Sequence, residues 1–191
     1  MSEKPVAAGK SSFDRIDRKK AFEAISLAEQ ATLLDLGSGA GKYSLAIAEE
    51  FRNTITVSSV DLWQEGINLL QGEAERLGLE NIHTKVADIR QPLPYGDAMF
   101  DSTLMATVLH DLTEPERPAV IQEIYRVLKP GGTLAIIEFK KIDAGAGPPL
   151  RIRLDEQEVT GLVSQFGFER ESETEVGEHH YLVTYRKKID I

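Results

Sequence analysis

The chain has 191 residues, 41% of them hydrophobic and 28% charged, which is the size and make-up of one globular domain. It contains no cysteine, which excludes disulfides, thiolate metal sites and cysteine nucleophiles and suits a reducing cytoplasm. A net charge of -9 and a pI near 5.0 argue against nucleic acid as a partner, since phosphate binding needs a positive surface, and no apolar run approaches the ~18 residues of a membrane span.

Residues 1–12 are small and polar and lack a signal-peptide core, so a disordered leader is expected before a single domain at 13–191. Arg15, Arg18, Lys19 and Lys20 lie beside Asp14 and Asp17 and read as a solvated helix face. Residues 21–27 predict a short amphipathic helix, and the compact apolar run 32–36 predicts a buried strand ending in glycines. Residues 43–51 have helical spacing, and the β-branched segment 54–60 predicts a strand ending at Asp61. Ile67, Leu70, Ala74 and Leu77 then share one helix face, closed by Gly78. Segment 81–87 alternates as a strand does, and 102–106 is another short strand. A helix at 118–128 is expected to stop at Pro130-Gly131-Gly132, ahead of a strongly apolar strand at 133–139. A loop at 145–149, a helix at 156–166 closed by Gly167, and a hairpin of 168–176 with 181–186 complete the chain.

Five strands alternating with helices imply an α/β fold, a parallel sheet covered on both faces and doubly wound. Ligands in such sheets sit beyond the carboxyl ends of the strands. The loops after Leu36, Val60, Ala87, Ala106 and Phe139 are therefore the candidate walls of a site.

Gly37, Gly39 and Gly41 follow the first strand and open a helix, where glycine permits a tight turn and close approach of a ligand to the backbone. The P-loop pattern fails here: Leu36 stands at its first glycine and Tyr43 at its Ser/Thr. The dinucleotide pattern fails at Lys42, where its third glycine belongs. Asp61, at the end of the second strand, is placed to accept from ribose hydroxyls, to cap the following helix, or both. Asp88 ends the third strand beside Ile89. It suits either the exocyclic amine of an adenine, with Ile89 on the ring, or a strand-end turn.

Together Asp35-Leu-Gly-Ser-Gly-Ala-Gly41, Asp61, Ala87-Asp88-Ile89, Pro92-Leu-Pro94 before Phe100-Asp101, and Arg126-Val-Leu-Lys-Pro-Gly-Gly132 resemble the class I S-adenosylmethionine-dependent methyltransferases. The likeness runs from about residue 31 to the C-terminus and is greatest to the small-molecule, quinone-biosynthesis-like branch. It implies a Rossmann-like three-layer sandwich whose mostly parallel seven-stranded sheet has the order 3-2-1-4-5-7-6, the last strand antiparallel. It also implies S-adenosylmethionine as cofactor, S-adenosylhomocysteine as product and a small-molecule methyl acceptor. By the resemblance Asp35, Gly37, Ser38, Gly39 and Gly41 form the loop that holds the methionine portion. Asp61 and Leu62 serve the ribose, Asp88 and Ile89 the adenine, and Met105 and Ala106 the pocket near the sulfonium. Tyr43 and Trp63 are expected to pack near the cofactor.

The segment between the fifth strand and the next helix, 140–155, is short for a substrate cover, so the N-terminal helical region 13–30 is expected to supply part of one. The similar arsenite methyltransferases need cysteines that this chain lacks. His110, after the fourth strand, is the candidate catalytic base, or else a histidine that packs over the cofactor or bonds a loop carbonyl. Glu138, Lys140 and Lys141 read as a solvated strand end, and His179 and His180 as hairpin residues, with no metal site expected. A nicotinamide-dependent oxidoreductase and a non-catalytic cofactor-binding protein are the competing readings.

Overall fold

The computed structural model describes residues 8–25, 27–143, 145 and 147–189. Its apolar runs become the strands β1 (Ala31–Leu36), β2 (Ile55–Asp61), β3 (Ile82–Val86), β4 (Phe100–Ala106) and β5 (Leu128–Phe139), with β6 (Phe168–Gly177) and β7 (His180–Lys187) as the hairpin. They form one sheet in the order β3-β2-β1-β4-β5-β7-β6, the arrangement expected from the resemblance. β1 to β5 pair in parallel, and β7 runs antiparallel to both β5 and β6.

The helices are α1 (Arg18–Ile25), α2 (Lys42–Glu50), α3 (Gln64–Leu77), α4 (Arg117–Val127) and α5 (Glu156–Val163). The first three cover one face: Phe22, Ile25, Ile47 and Ala74 pack with Leu33, Val57, Leu104 and Ile137. The other two cover the opposite face, where Ile121, Ile124, Val159 and Val163 meet Leu34, Met105, Ile136 and Val183. Neighbouring strand residues point to opposite faces, so the largely buried runs of the central strands β1, β4 and β5 fit a sheet covered on both sides there. α5 begins with a capping box, in which Asp155 accepts from the Gln157 and Glu158 N–H groups and Glu158 accepts from the Asp155 N–H. Among the described residues no helix is long and apolar enough to cross a membrane.

Two places depart from the sequence reading. No helix separates β3 from β4; residues 87–99 carry Pro92 and Pro94, which prevent one. The segment is held instead by Arg126, which donates to the carbonyls of Leu93 and Tyr95 and pairs with Glu123 and Asp97. Also, β5 begins at Leu128, before the expected Pro-Gly-Gly stop. Leu128 pairs with Phe100 and Thr133 with Ser102, so residues 129–132 bulge out of the ladder. Of the expected leader, residues 1–7 lie outside the described residues. Ser12, at its end, is buried and hydrogen-bonds to the Tyr43 hydroxyl at 2.8 Å.

Candidate active site

The parallel strands deliver their loops to one edge of the sheet, and the glycine turn after β1 forms the floor of a cleft of about 210 Å³ there. Gly37 and Gly41 sit at φ +73° and +77°, a region that costs other residues strain. A Cβ at Gly37 would stand 2.6 Å from Val108, and one at Gly41 2.3 Å from Leu70. The turn therefore needs glycine twice over, for its backbone and for its packing.

Four of the loop amides are already committed. The N–H groups of Gly37 and Ser38 donate to the Val60 carbonyl, that of Gly41 to the Ser38 carbonyl, and that of Gly39 to Asp61 Oδ2 at 2.7 Å. Asp61 Oδ1 accepts from the Trp63 N–H at 2.7 Å, so Asp61 both ties down the glycine turn and opens the α3 segment. Beneath the loop, the buried Asp35 accepts from Ser44, which in turn accepts from Ser59. Burial pushes the Asp35 carboxyl up to about 7; the Ser44 hydroxyl opposes this and the charge of Asp61 adds to it.

The expected cofactor residues assemble with two exceptions. Asp35, Gly37, Ser38, Gly39, Asp61, Leu62, Asp88, Ile89 and Ala106 line the cleft, as do Tyr43 and Trp63. Gly41, the residue before α2, does not line it and lies against Leu70. Nor does Met105, which is fully buried among the core residues on the α4–α5 side. For Met105 the cause is strand alternation, which turns Ala106 to the cleft and Met105 into the core; Thr107 and Val108, beyond the end of β4, line the cleft as well. Asp88 reaches the cleft with its carboxylate occupied, clasped by the Arg90 guanidinium at 2.8 and 2.9 Å. The Arg90 hydrogen bond and charge hold the Asp88 carboxyl below its ordinary range.

Residues that the local patterns did not single out complete the wall. Ala8, Gly9, Lys10 and Ser11 line the cleft from above. Thr107 has φ +56°, rare for a β-branched residue, and its N–H donates to the Ile137 carbonyl at 2.7 Å. Gly9, Lys10, Ser11, Lys42, Thr107 and Asp111 also border a second cavity of about 610 Å³, whose far wall includes His110, Phe139, Pro148 and Ile152. The two spaces thus share a wall. The segment 9–15, followed by Lys42 paired with Asp14, supplies the cover of the second cavity, whereas α1 packs against the sheet near β6 and β7.

The carboxyl ends of β4 and β5 meet at this second cavity. Glu138, read from sequence as part of a solvated strand end, is fully buried. Its carboxylate accepts from the His110 backbone N–H at 3.1 Å, from His110 Nδ1 at 2.8 Å and from the Phe139 N–H at 3.1 Å. The correction has a simple cause. A carboxylate with three N–H donors tolerates burial; one is the next residue of β5, but the two from His110 come from the turn after β4, and local hydrophobicity around Glu138 carries no trace of them. Lys140 and Lys141 do reach the surface, on Glu175 and Glu158. His179 and His180 sit at the β6–β7 hairpin, as expected. His180 is buried against the Phe139 ring, and burial pushes its pKa down to about 4.

Comparison with known proteins agrees with this geometry. A sequence profile described as a methyltransferase domain matches residues 27–173. A ubiquinone/menaquinone biosynthesis C-methyltransferase of Geotalea daltonii is 32% identical over 127 residues, 66% of this chain and 53% of that protein. An arsenite methyltransferase of Halobacterium salinarum is 32% identical over 145 residues, 76% of this chain and 35% of that protein. The chain thus spans about half of these relatives or less. A crystal structure of an S-adenosylmethionine-dependent methyltransferase from Aquifex aeolicus superposes with a TM-score of 0.83 at 29% identity over 93% of both chains. The [4+2]-cyclase SpnF, at 24% identity and a TM-score of 0.77 over 91% of this chain and 81% of that one, shares the fold alone. With the strand order, the glycine turn and the profile match in agreement, the chain belongs to the class I S-adenosylmethionine-dependent methyltransferase family.

Proposed function

We propose that the chain binds S-adenosylmethionine in the glycine-floored cleft and transfers its methyl group, by in-line displacement at the sulfonium carbon, to a small molecule held in the adjoining cavity. The observation that carries this is the state of the glycine turn. A dinucleotide or nucleoside triphosphate needs free loop amides for its phosphates. Here the amides of Gly37, Ser38, Gly39 and Gly41 are spent within the protein, and the buried Asp35 and the half-buried Asp61 lie beneath and beside them. Such a floor favours a ligand that brings donors and positive charge. Ser38 Oγ, buried and without a hydrogen-bond partner among the described residues, is a further group for a polar ligand to satisfy.

On this reading Asp61 and Leu62 hold the ribose, Asp88 and Ile89 the adenine, and the loop with Ala106 the methionine portion, all from a single domain, expected at 13–191 and joined by residues 9–12, whose cover comes from 9–15 rather than from the whole of 13–30. When bound, the cofactor supplies an already activated methyl group, so this chain's residues serve to align the reactants and exclude water. Similarity to quinone-biosynthesis and arsenite methyltransferases suggests small acceptors. The chain has no cysteine, so acceptors needing protein thiols are set aside.

Calorimetric titration with S-adenosylmethionine, S-adenosylhomocysteine and NAD tests the reading. Both sulfur ligands should bind and NAD should not. Binding of NAD with neither sulfur ligand would overturn it in favour of an oxidoreductase.

A further inference from the structure

The His110–Glu138 pair stands apart from the cofactor cleft. His110 is buried on the wall of the larger cavity, and Glu138 holds it at two points, through the backbone N–H and through Nδ1. An ionised carboxylate can only accept, so Nδ1 carries the hydrogen and Nε2 is left with its lone pair. Asp111 Oδ1 lies 3.5 Å from Nε2, beyond a good hydrogen bond. The Phe139 ring meets the imidazole edge-on at 5.6 Å and adds a second restraint on its orientation. A buried histidine whose inner nitrogen is tied to a carboxylate and whose outer nitrogen remains basic is the arrangement of a general base and its orienting partner.

We propose that His110 is the proton acceptor of the reaction and Glu138 its positioning residue, and therefore that the methyl acceptor is a molecule whose reacting atom carries a proton, as an O–H, N–H or acidic C–H. This rests on the methyl-transfer reading. A lone pair on an O–H or N–H acceptor, or the pair freed from an acidic C–H bond, forms the new X–CH3 bond; an O–H or N–H bond pair stays on X as its proton leaves, and the carbon–sulfur pair leaves on sulfur, giving a neutral thioether. The proton passes to His110 Nε2, and the imidazolium is stabilised by Glu138. A tertiary amine or thioether acceptor has no such proton and needs no base.

The charged groups facing the ring are Glu138 from β5, Asp111 beside it in the turn after β4, and Arg153 from the segment before α5. Burial disfavours the charged ring, but the Glu138 hydrogen bond and charge, with the charge of Asp111, outweigh both burial and Arg153. The net shift is above the ordinary 6.5. The basic form therefore appears only above that raised value, and methyl transfer should rise with pH through it. Glu138→Gln removes the opposing charge and should move this limb to lower pH.

The test uses the full chain loaded with S-adenosylhomocysteine. Long-range nitrogen NMR of the imidazoles, with His110→Gln for assignment, should show His110 with hydrogen on Nδ1 above its pKa. That pKa should lie above the ordinary 6.5 in the wild type and fall in Glu138→Gln. Glu138→Asp, which keeps the charge, should restore much of the shift, and the wild-type tautomer and pKa decide the matter if Glu138→Gln does not fold. Hydrogen on Nε2, or a pKa that ignores the charge at position 138, would overturn the proposal. With radiolabelled S-adenosylmethionine and parallel panels of phenols, primary amines, carbon acids such as 1,3-diketones, thioethers and tertiary amines, transfer should be confined to the first three and fall about 100-fold or more in His110→Ala. Transfer confined to thioethers or tertiary amines would also overturn it. Calorimetry separates the two failures. If the wild type binds neither sulfur ligand, the methyl-transfer reading fails. If it binds them and the imidazole results are negative, only the base assignment fails.

Discussion

The two sides of the site are built differently. The proposed cofactor side, between β1 and β2, is built on one local backbone feature: a glycine turn with a helix that starts at its end, tied down by the Asp61 carboxylate from the next strand. The proposed acceptor side, between β4 and β5, is built from side chains on separate elements, His110 and Glu138, with the 9–15 segment folded across the cavity. The first kind of site is specified by backbone geometry, which tolerates little change. The second is specified by side chains that adjoin only after the sheet has formed, so it can be altered without disturbing the first.

The sharpest way to break this contrast is at Gly41. Gly41→Ala forces a side chain into φ +77° and against Leu70. It should cost about 2–4 kcal/mol from strain and overpacking together and abolish measurable cofactor binding. Thermal melts and calorimetry check this, and a stable variant with normal affinity would mean that the turn is looser than its packing implies. Next is Asp61→Ala, expected to weaken S-adenosylmethionine binding by about 1–3 kcal/mol through loss of a charged acceptor. If affinity holds while the melting temperature falls, Asp61 only braces the Gly39 and Trp63 amides.

Asp35 gives a pH-dependent effect. Its folded pKa of about 7 lies above its ordinary 3.8, so between those values the folded chain keeps a proton that the unfolded chain has lost. Its contribution to stability is therefore highest in acid and declines as pH rises to about 7, by at most about 1.4 kcal/mol per pH unit. Denaturant melts from pH 4 to 8 should show this decline in the wild type relative to Asp35→Asn, and parallel curves would refute it. The smallest effect is expected at Arg90, whose pair with Asp88 is partly exposed. Arg90→Ala should change stability by no more than about 0.5 kcal/mol and, by freeing the Asp88 carboxylate, tighten cofactor binding about two- to fivefold. Weaker binding would show that Arg90 itself touches the ligand.

The fold was legible because its signals are local and repeated. Apolar runs bounded by glycines give β1 and β2, and helical spacing closed by Gly78 gives α3. The order of the edge strands came from resemblance, since nothing within 168–187 says which neighbour β7 will choose. On the cofactor side Gly37, Gly39, Gly41 and Asp61 could be named because a tight turn demands particular residues at particular spacing. Met105 was misplaced because one residue of strand register separates the cleft from the core. Arg90 was missed because its significance lies in occupying Asp88.

By itself the sequence determined the alternation of strands and helices, the glycine turn and the carboxylates spaced from it, because turns, caps and amphipathic faces depend on neighbours along the chain. Only the tertiary structure decided that Glu138 is buried under His110, that Ser12 reaches Tyr43, and that Thr107 and residues 9–11 stand between two cavities. A buried charge is admissible only where its partners converge, and that convergence is a property of how β4, β5 and the N-terminal segment pack together.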